Sequence, residues 1–139
     1  MRTTTTSLIR FVLLLALIGL ASRAFALNLN LPYGTLNSDF SVKTRVGTFP
    51  NLIRSAPRPV LPPGALPSHF HGSGVFVLDL NTVRGIVNAA RILRSTGSKQ
   101  VDDVLITTLQ QWRIQPRTIY KLHVPVRVIA PGKFVFGSP

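Results

Sequence analysis

The stretch from Val101 to Trp112 limits this chain to folds in which a helix lies against a sheet. Val101, Val104, Leu105, Leu109 and Trp112 recur at steps of three and four, which sets them on one apolar stripe about 100° wide that has to be buried. Two strand-like runs precede this helix and one follows it, so the sheet they form is the surface available to cover the stripe. The order strand, strand, helix, strand predicts an α+β fold of two layers: a small antiparallel three-stranded sheet packed on one main helix.

Each flanking element has its own signals. After Gly72-Ser73-Gly74, Phe76, Leu78 and Leu80 fall on one face of a strand and Val75, Val77 and Asp79 on the other. Asn81 to Gly85 reads as a turn, with Gly85 suited to a positive φ. In the second strand, Ile86 to Leu93, the unequal spacing of Val87, Ala90 and Ile92 predicts a bulge at Asn88 or Ala89. Ser98 is placed to cap the helix, Asp102 and Asp103 sit in its first turn, Arg113 in its last, and Pro116 stops it.

The last strand alternates Leu122, Val124, Val126 and Val128 with Lys121, His123, Pro125 and Arg127. Proline cannot donate to a ladder, so Pro125 predicts that this strand lies at the sheet edge. A compact unit of about 65 residues buries little surface, and pairing of that edge with another chain adds stability. The tail carrying Phe134 and Phe136 is placed to cover the helix or the open edge.

The amino terminus has the pattern of a secretory signal: Arg2 and Arg10 lead an apolar run from Phe11 to Ala21, and Ala24-Phe25-Ala26 is a small-x-small cleavage pattern. Twelve uncharged residues separate Arg10 from Arg23. As a helix they span about 18 Å, short of the roughly 30 Å of hydrocarbon that a retained anchor has to cross. The mature chain is expected to begin at Leu27, and an inner-membrane anchor is the alternative. Leu27 to Pro67 reads as an extended leader with one short strand near Phe40 to Val46. Six of the chain's eleven prolines fall between Pro50 and Pro67, which makes that segment either a semi-rigid tether or a strap along the surface.

Sixteen Lys and Arg against four acids give a formal charge of +12. Removal of residues 1 to 26 takes away Arg2, Arg10 and Arg23 and leaves +9. Such a surface favours anionic neighbours, and exported sequence makes lipid or envelope polymer a better partner than nucleic acid. The absence of cysteine excludes disulfides and thiolate metal sites. Four aspartates without a glutamate supply no paired catalytic carboxylates, and no nucleophile elbow or phosphate loop is present, so an enzyme is not expected. His69 and His71 have a chelating spacing but no third ligand nearby in sequence, so no metal or other cofactor is expected.

Taken together, Gly72-Ser73-Gly74-Val75, Gly85-Ile86-Val87, Leu93-Arg94-Ser95-Thr96-Gly97, Val101-Asp102-Asp103, Gln111-Trp112-Arg113-Ile114-Gln115-Pro116 and Val124-Pro125-Val126 resemble the C-terminal domain of the TonB family, over Gly72 to Val128. The resemblance implies a TonB C-terminal-like domain over residues 68–139. It also implies a periplasmic module in transmembrane transport that binds a short outer-membrane receptor segment as an added strand. The residues this assigns to partner binding are Tyr120, Lys121, Leu122, His123, Val124, Pro125, Val126 and Arg127. The alternative is a non-catalytic, basic structural or adhesion module of the cell envelope, held on anionic membrane or wall material and dimeric through the same edge.

Overall fold

The computed structural model describes residues 30–67, 69–130 and 132–139; the expected signal segment lies outside the described residues. The unit Pro32–Pro139 contains a nine-stranded sheet curled into a half-barrel, with one short helix. In chain order the strands are β1 (Tyr33–Leu36), β2 (Val42–Thr44), β3 (Gly47–Phe49), β4 (Ile53–Ser55), β5 (Gly72–Asn81) and β6 (Ile86–Arg94). The helix α1 (Lys99–Leu109) follows, then β7 (Arg113–Ile114), β8 (Lys121–Ala130) and β9 (Lys133–Phe136).

The sheet runs β3-β2-β1-β8-β5-β6-β7-β4, with β9 also paired to β8. The expectation of a three-stranded sheet on a main helix is therefore overturned. The reason lies in the leader, where four strands of three or four residues are too short to show a period of two. They form because β8 and β7 offer them backbone partners: β1 joins β8 in parallel, and β4 joins β7. Residues 33–55 are thus part of the sheet and not a free tether.

β3 and β4 stand at opposite ends of the strand order, yet only residues 50–52 connect them. A connection that short reaches about 14 Å at most, so the two ends of the sheet curl toward each other. Leu52, in this connector, is buried, and its carbonyl accepts the Gln115 amide at 2.7 Å.

Inside the curl, Phe76, Leu78 and Leu80 of β5 meet Leu122, Val124, Val126 and Val128 of β8, with Leu36 and Val42 beside them. Val101, Leu105 and Leu109 of α1 close the core from the other side. Ser98 caps α1 through its side chain, which accepts the Val101 amide at 3.4 Å. The helix ends at Leu109 and not at Pro116. Gln111 and Trp112 donate back to Thr108 and Leu109 in tightened turns, and Arg113 leaves the helix to enter β7.

Trp112 is fully buried all the same. It packs against Phe136 at 5.3 Å between ring centroids and Phe40 at 6.0 Å, and its Nε1–H donates to the Pro57 carbonyl at 3.1 Å. With Pro59 buried and Leu61 and Leu66 half-buried against the core, the proline-rich segment is a strap laid along the domain.

Candidate functional site

The strand expected at the edge is interior. Along one flank β8 pairs with β5 from Gly72↔Val128 to Asp79↔Lys121. Along the other it pairs with β1 at Lys121, Leu122 and His123, then with β9 from Val126 to Ala130. Pro125 sits at the handover between the two. Its carbonyl accepts the Gly137 amide at 2.7 Å, and within a strand the N and C=O of one residue point the same way, so the missing N–H faces the one point where neither β1 nor β9 needs a donor. The proline signal was real, but it marks a change of partner along a central strand.

Of the residues first assigned to partner binding, Leu122, Val124 and Val126 are buried in the core. Lys121, His123 and Arg127 share the outer face, where His123 lies 5.6 Å from the Tyr33 ring and Lys121 lies 3.9 Å from Asp79. Tyr120 precedes the strand and gives its carbonyl to the Leu80 amide at 3.0 Å. Strand addition along Tyr120 to Arg127 has no free backbone to use. His69 and His71 are exposed ahead of β5, and among the described residues no three His, Cys, Asp or Glu side chains gather as a metal site.

Besides the terminal strands β3 and β4, β6 leaves a long stretch of one flank open. It pairs with β5 along its length, but on its other flank it meets β7 only at Ile86↔Arg113. Among the described residues, Asn88 to Arg94 have no strand partner on that side. The Leu80–Tyr120 bond fixes the alternation: even-numbered residues of β5 face β8 and odd-numbered ones face β6. Asp79 and Val77 therefore bond Ala89 and Arg91, and the N–H and C=O of Ala90 and Ile92 point out from the sheet.

Two bulges bound this edge. The register slips at Asn88, one of the two positions the spacing allows, and again at Leu93. The second raises Leu93 to 66% exposure beside Ile92 at 45%, two large apolar side chains next to unpaired backbone. Gly85, with φ 70°, turns the chain into β6, and its carbonyl accepts the Ile114 amide at 2.8 Å. At the far end Asp102 fixes the exit. Its carboxylate accepts the Thr96 amide at 3.0 Å, the Thr96 hydroxyl at 2.6 Å and the Ser95 hydroxyl. Burial pushes the Asp102 carboxyl up, but these three bonds outweigh it and hold it below the usual carboxylate value. The acid read as a dipole partner thus also ties the β6–α1 connection to the helix.

Charge completes the surface. The outer face carries Lys43, Lys121, Arg127, Arg91 and Arg94. Arg91 forks onto Asp79, with Nε to Oδ2 at 2.8 Å and Nη2 to Oδ1 at 3.1 Å, and those bonds raise the guanidinium further above its ordinary value. Sequence reading placed β6 in the hairpin without recognising it as the edge. The available signal was its carboxyl end, where Arg91 to Arg94 break the alternation kept by β5 and β8.

Compared with protein-family models, with curated proteins and with solved structures, the chain matches none.

Proposed function

We propose that this chain is a non-catalytic, TonB-like module of the cell envelope that takes an extended segment of a partner protein as an added strand along β6. The carrying observation is the unpaired flank of Asn88 to Arg94, in a sheet whose central strand β8 is closed on both sides. Backbone groups of Ala90 and Ile92 supply the ladder, Ile92 and Leu93 supply apolar contact, and Arg94 favours a segment bearing carboxylates. The motif resemblance contributes the partner class, a short receptor segment, and the amino-terminal signal pattern contributes export to the periplasm.

The test is amide mapping of the mature chain against a panel of receptor leader peptides. The reading expects shifts at Ala89 to Arg94 and none along Lys121 to Arg127; a panel that leaves Ala89 to Arg94 unmoved removes it.

A second reading rests on the outer face, where Asp79 is the acid set among Lys43, Lys121, Arg127, Arg91 and Arg94. A basic adhesion module predicts salt-sensitive retention on anionic vesicles, with β6 pairing to β6 of a second copy. Sedimentation that shows a monomer and no retention eliminates it.

A further inference from the structure

A cavity of about 360 Å³ lies beside β9 and beneath the proline strap, separated from β6 by β8 and β5 in the strand order. Its lining includes Phe134, Phe136, Ile129 and Pro59, with Arg58 and Lys133 as its two charged side chains. We infer that this cavity binds a carboxylate carried on an aromatic or similarly flat apolar body.

Its chemistry is that of a small-ligand site: apolar walls with a few charged groups that fix orientation. Both cations are exposed, and among the described residues neither the Arg58 nor the Lys133 side chain is held by an ion pair or a hydrogen bond. No acid lines the cavity to neutralise them. The guanidinium of Arg58 matches a carboxylate in two parallel bonds, and Lys133 adds a second charge.

The walls are set before any ligand arrives. Phe134 and Phe136 stack with centroids 6.5 Å apart, and Phe136 stands edge-on to Trp112. Arg58 lies between Pro57 and Pro59, whose rings fix φ on both sides of it, and the Trp112 indole holds the Pro57 carbonyl. Little backbone freedom remains to be lost on binding, which favours a preformed site.

The same chemistry comes from two sources, a free aryl-alkanoate or the terminal carboxylate of a peptide that ends in Phe. The experiment titrates the mature chain with 3-phenylpropionate, with its neutral alcohol, and with a Phe-ending peptide in free-acid and amidated forms, read through the fluorescence of Trp112. Saturation by an acid form, with at least about tenfold weaker binding of the neutral counterpart, is the expected result. Saturation by 3-phenylpropionate identifies a free acid as the source, and saturation by the peptide alone identifies a chain terminus.

Arg58→Gln and Lys133→Gln alter exposed side chains and leave the fold intact, and each is expected to weaken binding. Neutral forms that bind equally well, glutamine variants that bind unchanged, or no saturation up to about 10 mM overturns the inference.

Discussion

The indole of Trp112 donates a hydrogen bond to the carbonyl of Pro57 at 3.1 Å, joining the connection between α1 and β7 to the strap. That contact makes a core residue responsible for the position of a surface segment. Trp112→Phe leaves the Pro57 carbonyl without this donor and leaves a void against Phe40 and Phe136. The expected loss is about 1–3 kcal/mol, read from urea unfolding followed by circular dichroism.

Asp102 gives the fold an acid-sensitive anchor. Its carboxyl is held below the ordinary value of 3.8, so its contribution is fully present above that value and is lost as pH falls through the lower, folded value. Asp39, lowered by the Ser41 hydroxyl and amide, acts in the same direction. Asp102→Asn is expected to cost about 1–3 kcal/mol at neutral pH and to flatten, without abolishing, the fall of melting temperature below pH 3.8. Thermal melts of both proteins across that range provide the check.

Gly85 leaves no room for a side chain. A Cβ there lies 1.9 Å from the Ile114 carbonyl oxygen, at a φ of 70° that disfavours any L residue with a side chain. Gly85→Ala is expected to destabilise by at least about 2 kcal/mol and to loosen the amides of Ile86 and Ile114, seen by hydrogen exchange.

The direction of the β6 backbone separates binding from folding. The Ala90 N–H points out of the sheet, whereas the Arg91 N–H is bonded to β5. Ala90→Pro is expected to keep the fold at a cost under about 2 kcal/mol while weakening peptide binding at least tenfold. Arg91→Pro breaks a ladder bond and is expected to cost about 3 kcal/mol or more. Melting temperature and peptide titration, measured on both variants, tell the two effects apart.

Most local signals in the sequence were sound, although the helix stops at Leu109, short of Pro116, and Arg113, expected in its last turn, opens β7. The inward sets of β5 and β8, the Ser98 cap, the Gly85 turn and the bulge at Asn88 all follow from side-chain period or backbone freedom, and all are present. What the sequence did not disclose is who pairs with whom. A missing donor at Pro125 excludes one hydrogen bond, and that is equally consistent with an edge or with a gap between two partners. The leader strands carry too few residues to register a period, and their partners β7 and β8 lie at the other end of the chain. The candidate edge at β6 was hidden for the same reason, since openness is a property of the whole sheet.

The divided flank of β8 also joins two loop closures of very different length. Arg127 pairs with Val135 close by in the chain, a local closure of the kind that completes in microseconds, whereas His123 pairs with Thr35 from the far end of the domain. Pro125 therefore marks the point on one flank of β8 where a short loop closure gives way to a long one.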